Sequence, residues 1–239
     1  MKRSILLCML VSAIAPVVHA DDIDRLQLLN QGEFRLLSED LGAALSYKPL
    51  NPTESLKFPG FDVGVAVTGT KLQNTDVFKK ASSSGDFPGT LPVPTLRALV
   101  GLPFGFDVGA SFAAIPGTNL RYYGGELKWA FVSGNTLLPA VGVRGSFTKL
   151  TGVDQLDFNT KSVDVSISKG FLMFTPYGGV GRVWVDSTAK GIGTLSNESF
   201  GLNKVFLGVN VNLGLVNFAI EADKTGDATS AGAKVGFRF

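Results

Sequence analysis

Ten charged residues stand inside otherwise apolar or small-residue stretches of the chain: Arg97, Asp107, Glu126, Lys128, Arg144, Asp164, Arg182, Glu221, Asp223 and Lys234. Each alternates with apolar neighbours, so in extended strands they share the face opposite the apolar side chains. With Asp62 and Arg238 on the same faces, acidic and basic groups balance, and opposite signs recur on neighbouring segments. Buried charges need partners, whereas a selective pore needs an excess of one sign. The balance therefore favours mutual salt bridges filling a narrow interior, either as a seal or along a permeation path.

Other chemistry is thin. Asp154 and Asp157 have the spacing for a carboxylate pair working as general acid and base, but an acidic, glycine-containing loop is usually just solvated. Gly178-Gly179-Val180-Gly181 lies inside a strand pattern with no helix after it, which removes a phosphate-loop reading. Arginines are scattered rather than clustered, so no nucleic-acid partner is expected.

Lys2-Arg3, an apolar run over residues 5–18 and the tripeptide Val18-His19-Ala20 form the pattern of a secretory signal peptide spanning residues 1–20. The run is too short for a spanning helix, which needs about 20 residues. Cys8 stands too early in it to serve as a lipid acceptor. Removal would take the only Cys and the only His, leaving 219 residues with 20 basic and 20 acidic groups. Such a chain has no disulfide, no zinc site and no Ser-His-Asp triad. No enzyme activity, metal or cofactor is expected.

The elements that must position the ten charges are strands. Mean hydropathy is +0.24 without a long apolar block after residue 20, so apolar residues are spread at alternate positions. About ten segments of 10 to 15 residues follow from Gly60 onward. Their expected outward faces include Phe61/Val63/Val65/Val67, Leu96/Ala98/Val100, Phe106/Val108/Ala110/Phe112, Tyr123/Gly125/Leu127/Trp129/Phe131, Val141/Val143/Gly145/Phe147 and Val163/Val165/Ile167. The series continues with Tyr177/Gly179/Gly181/Val183/Val185, Val205/Leu207/Val209/Val211/Leu213, Val216/Phe218/Ile220/Ala222 and Ala231/Ala233/Val235/Phe237/Phe239. Strands of a soluble sandwich are commonly about five or six residues, whereas a transmembrane strand needs about 9 to 11. Tight connections alternate with longer polar ones, and the short connection at Pro116-Gly117-Thr118 is the exception. The pattern predicts an all-β, antiparallel up-and-down transmembrane barrel over residues 60–239, with an even strand count. Inward glycines such as Gly64, Gly101, Gly109, Gly142 and Gly208 mark either bends or room in the lumen.

Residues 21–59 differ in kind. Ser38-Glu39-Asp40 can cap a short helix from Leu41 to Tyr47, with Pro49 and Pro52 forbidding continuation. The segment is expected either to lie in the periplasm or to plug the barrel, with Leu41, Leu45 and Leu50 packed in the lumen or against its periplasmic mouth.

The mature chain resembles a bacterial outer-membrane β-barrel. Its last strand, residues 233–239, resembles the C-terminal assembly signal of such proteins, with Val235, Phe237 and Phe239 at alternate positions. The resemblance implies outer-membrane localisation, with membrane lipid and the barrel-assembly machinery as partners. In the N-terminal segment, Asn51-Pro52-Thr53 resembles the Asn-Pro-Ala motif in the plug region of FadL-type transporters of hydrophobic compounds, although Thr53 replaces the Ala and this chain is shorter. That resemblance implies a passive conduit for a small hydrophobic solute. The balanced lumen charges point instead to a structural or surface-interaction barrel, and the sequence leaves both open.

Overall fold

The computed structural model describes residues 22–115, 120–135 and 137–239. The expected signal peptide and most of the Pro116-Gly117-Thr118 connection lie outside them. The described elements are helix α1 (Gln31–Leu45), strand β1 (Phe61–Lys71), helix α2 (Thr75–Ala81) and strands β2 (Thr90–Gly101), β3 (Phe106–Ala114), β4 (Arg121–Ser133) and β5 (Ala140–Thr151). They continue with β6 (Leu156–Ser168), β7 (Phe174–Ala189), β8 (Glu198–Leu213), β9 (Val216–Thr225) and β10 (Ala228–Arg238). Every neighbouring pair is antiparallel, and β1 pairs with β10 to close the barrel, Val65 opposite Val235. Closure leaves no sheet edge, the condition under which strands can cross a bilayer.

Tight turns join β2 to β3, β6 to β7 and β8 to β9 at one end, where the chain also enters β1 and leaves β10. Longer connections at the other end include residues 72–89, which carry α2, and residues 190–197. These are called here the short-turn and long-loop ends. Outside, aliphatic side chains such as Leu96, Leu127, Leu207 and Ile220 are exposed. Aromatic rings cluster at the short-turn end, where Phe61 stacks on Phe239 and Phe106 on Trp129, with centroids 5.8 Å and 5.5 Å apart. Amphipathic rings favour membrane interfaces, and this is where such a girdle belongs.

One strand is turned over relative to the sequence pattern. In β7, Tyr177, Val183 and Val185 are buried and point inward, while Val180, Arg182 and Trp184 point outward. The reason is what fills the barrel. Val185 packs on α1 so closely that a Cβ on Gly42 would lie 2.6 Å from its Cγ2. An apolar inward face is stable where it meets a helix instead of water, so apolar alternation alone cannot tell inside from outside. Arg182 is consequently not a lumen residue.

The helix is longer than the sequence expectation and begins ten residues earlier. Asn30 caps it: its side chain accepts from the Glu33 N–H at 2.9 Å, and the Glu33 carboxylate accepts from the Asn30 N–H at 2.9 Å. This reciprocal capping box satisfies two otherwise orphaned donors. Ser38 is mid-helix, its hydroxyl donating to the Phe34 carbonyl at 2.8 Å and lying 2.9 Å from Ser187 Oγ, whose hydroxyl can donate to it. Helical geometry ends at Leu45, and Ser46 is already extended. Phe34, Leu37, Leu41 and Leu45 recur at helical spacing and are all buried. Each such burial is worth roughly 1.5–3 kcal/mol.

The direction of the N-terminal segment also departs from expectation. Its first residues are at the long-loop end: Ile23 bridges to Ser82, the Arg25 N–H donates to the Ala81 carbonyl, and Gln31 bonds to the backbone of Ser196. From there α1 runs into the lumen, and residues 46–57 continue to the short-turn end, where β1 begins. The interior has two layers as a result. Toward the long loops, Leu91, Val93, Phe158, Val183 and Val185 surround the apolar face of α1. Toward the short turns the wall is charged.

Candidate functional site

The charged layer is built around an extended peptide rather than around an open lumen. Extended backbone inside a barrel leaves carbonyls and N–H groups without ladder partners, and each must be satisfied by a side chain. Inward positions of seven strands hold the segment. The Lys204 ammonium donates to the Tyr47 carbonyl at 2.6 Å, the Arg97 guanidinium to the Lys48 carbonyl, and the Lys128 ammonium to the carbonyls of Pro52 and Glu54 at 2.9 and 3.0 Å. Glu221 accepts from the Leu50 N–H at 2.7 Å, and Asp107 from the Ser55 hydroxyl at 2.8 Å and the Leu56 N–H at 3.1 Å. Arg144 Nη2 donates to Asn51 Oδ1 at 3.0 Å. Thr53 donates its hydroxyl to Ser166 at 2.8 Å.

The same side chains pair with one another. Lys128 lies 2.9 Å from Asp107, Arg144 Nε 2.8 Å from Glu126, Lys48 2.8 Å from Asp223, and Lys234 2.7 Å from Asp62. Arg97 reaches Glu126 at 3.4 Å, while Asp164 is 3.9 Å from both Arg144 and Lys204. Most of these groups are almost wholly buried. Breaking such a pair by removing one partner strands a charge in low dielectric, which makes the network all-or-none at each contact.

Nine of the ten charges singled out in the sequence meet in this layer; Arg182 does not. Asn51 and Pro52 lie in its centre, Val235 and Phe237 lie on the outer face of the closing strand β10, and Phe239 follows it, exposed. Sequence reasoning passed over Lys204, whose inward position follows from the alternation of β8. It also passed over Tyr47 and Lys48, for which the sequence carries no signal because they lie in no regular element. The Tyr47 hydroxyl donates to Glu126 at 2.6 Å.

Of the inward glycines, Gly101 and Gly142 are room for this segment, whereas Gly64, Gly109 and Gly208 lie close against neighbouring wall residues. A Cβ on Gly101 would stand 2.2 Å from the Lys57 carbonyl oxygen, and one on Gly142 2.9 Å from Thr53 Cγ2. A cavity beside Tyr47, Lys48, Arg97 and Tyr122 has a volume of about 10 Å³, space for about one water.

The carboxylate pair that acid–base chemistry would need from Asp154 and Asp157 is not formed. Asp157 pairs with Lys149 at 3.7 Å and Lys190 at 3.4 Å rather than with Asp154, which is exposed. Among the described residues there is no group of three or more His, Cys, Asp or Glu that could hold a metal ion.

No family model matches the sequence, and no curated protein matches it. Solved structures of similar shape include the outer membrane protein OprG from Pseudomonas aeruginosa, at 11% identity and a TM-score of 0.34, over 79% of this chain and 99% of that one. Ail, the attachment invasion locus protein of Yersinia pestis, aligns at 13% identity and a TM-score of 0.31, over 75% of this chain and 97% of that one. LpxR from Salmonella typhimurium aligns at 12% identity and a TM-score of 0.36, over 74% of this chain and 100% of that one. Likeness at this level says nothing about activity. By its own closed sheet, apolar exterior and aromatic girdle, the chain is a transmembrane β-barrel of the outer-membrane type.

Proposed function

We propose that the protein is an integral outer-membrane barrel, sealed at rest, that serves as a structural or surface-interaction element. In this reading the short-turn end faces the periplasm and the long-loop end faces outward, as is general for such barrels. Residues 31–57 act as a built-in plug, and the loops together with residues 22–30 form the outward surface. The observation that carries the proposal is the capture of the segment's own backbone by Lys128, Lys204, Arg97 and Glu221. A plug meant to leave would abandon several buried charges at once.

The alternative, a conduit for small hydrophobic solutes, draws on the position of Asn51-Pro52 inside the lumen. It requires the plug to move. Ser38 and Ser187, whose hydroxyl oxygens are 2.9 Å apart, offer a lock. The double variant Ser38→Cys/Ser187→Cys joins α1 to the wall if the Cβ geometry suits a disulfide. In planar bilayers the sealed reading expects equally low conductance from the oxidised and reduced forms. Conductance that appears only on reduction would establish a gated conduit and overturn the structural reading.

A further inference from the structure

Arg182 is absent from the lumen network, and where it lies is informative. It projects from the outer face of β7, and its Nη1 donates to Asn203 Oδ1 on β8 at 3.1 Å. Two residues along β8, Gly201 leaves space for it: a Cβ there would lie 2.6 Å from Arg182 Nε and 2.7 Å from Nη2. The Nε–Nη2 edge of the guanidinium therefore faces the spot that a side chain on Gly201 would fill. Lys224 projects from the outer face of β9, opposite Val205. Among the described residues neither cation has a carboxylate within ion-pair distance.

Beside them an open apolar groove of about 670 Å³ is lined by Val163, opposite Arg182, by Val205, opposite Lys224, and by Val165 and Val180. Two unpaired cations thus cap an aliphatic furrow on a surface that faces lipid. The rim continues in register: Lys224 stands opposite Thr229, and Thr229 opposite Lys71, whose side chain also points outward. Asp186 is the acid nearest along β7, and it is occupied by Ser199 at 2.8 Å and Lys161 at 3.7 Å.

We propose that this outer face of β6–β9 binds a phosphate-bearing acyl lipid of the leaflet at the long-loop end, its phosphate between Arg182 and Lys224 and an acyl chain along the valines. The proposal rests on the membrane-spanning reading above. Three features select this occupant. A guanidinium whose Nε–Nη2 edge faces the open spot over Gly201 can meet phosphate oxygens bidentately there, and Lys224 adds a second charge. Cations on a lipid-facing wall are tolerated near the interface and disfavoured at depth, and Lys224 stands one residue from the long-loop end of β9, where headgroups belong. A soluble anion would have no use for the valine groove.

The test uses the full chain purified in non-ionic detergent. The probes are an acylated glucosamine disaccharide carrying two phosphates, the same lipid without phosphates, and inorganic phosphate. Native mass spectrometry reads retention. The phosphorylated lipid should be retained, and at least about tenfold less by Arg182→Gln/Lys224→Gln, a loss that two charge-assisted contacts can readily supply. Gly201→Leu, which crowds the guanidinium without removing charge, should weaken retention as well. Lys149→Gln, on another part of the rim, should retain the lipid normally. Heat-modifiability on gels confirms that each variant is folded. Equal retention by the double variant, or equal retention of the phosphate-free lipid, would overturn the proposal. Inorganic phosphate competing at equal affinity would reassign the site to a free anion. Failure of the folded protein to insert into liposomes would instead overturn the membrane reading beneath it.

Discussion

Lys128 places its ammonium 2.9 Å from Asp107 on the barrel wall and 2.9 Å from the Pro52 carbonyl of the segment inside it. One side chain thus ties wall to plug. Lys128→Met removes both contacts and the one to the Glu54 carbonyl, and leaves Asp107 short of its counter-charge. Removing one partner of a buried pair costs about 3–5 kcal/mol, so the urea midpoint of the heat-modifiable folded form should fall markedly. An unchanged midpoint would mean that water reaches Asp107, and that the charged layer is open.

The threading direction is checkable on whole cells. Asp24 is exposed at the long-loop end, whereas Ser55 is buried near the short turns. A membrane-impermeant maleimide should label Asp24→Cys from outside and leave Ser55→Cys untouched. Labelling of neither in intact cells, with Asp24→Cys reacting only after the envelope is opened, would put residues 22–30 on the periplasmic side.

How much of this was legible in the sequence follows from what each strand faces. Where a strand meets lipid outside and charge inside, as in β5 with Val143 outward and Arg144 inward, the alternation fixed both faces. In β7 the interior is α1, and Val183 and Val185 read as lipid-facing because nothing in their alternation records the helix behind them. Arg182 was misassigned by the same step. The start of α1 was legible and overlooked: Asn30 and Glu33 have capping-box spacing, but Ser38-Glu39-Asp40 competes as a cap. The grip of Lys204 on the Tyr47 carbonyl was out of reach, since no local pattern predicts which wall residue meets an irregular segment.

The lipid face is probed best on β8, whose register follows the sequence pattern. Leu207 is 70% exposed and points outward between strands β7 and β9. Leu207→Arg should cost roughly 2–4 kcal/mol if it sits near the midplane. Reduced folded yield in lipid vesicles would show it. A yield matching the parent would place β8 in water.

Acid should loosen the outward end of the plug. The Lys80 ammonium, 2.7 Å away, and the Asn30 N–H hold the Glu33 carboxyl below its ordinary value. For a depressed acid the stabilisation is complete above the unfolded value and is lost as pH falls through the folded one. Amide exchange at the start of α1 should therefore quicken at the acidic end of the range, relative to a pH-matched reference peptide. Glu33→Gln should abolish that pH dependence. A quickening that survives in Glu33→Gln would assign it to another carboxylate.

Gly101 ends β2 at the short-turn end, against residues 56–57 of the inner segment. The three atoms nearest to a Cβ there belong to residues 56–57, the Lys57 carbonyl oxygen at 2.2 Å and Leu56 Cβ at 3.0 Å among them, so Gly101→Ala must push that segment away from β2. Backbone cannot yield that distance without moving, and trypsin added from the short-turn side should cut after Lys57 faster than in the parent. The long-loop half is untouched by the change, because Phe34, Leu37, Leu41 and Leu45 remain packed against Leu91, Phe158, Val183 and Val185. Bilayer conductance should therefore stay at the parent level while cleavage rises. Were Gly101→Ala to conduct, the charged layer alone would be the barrier, and the apolar packing around α1 would have to admit a path for solute.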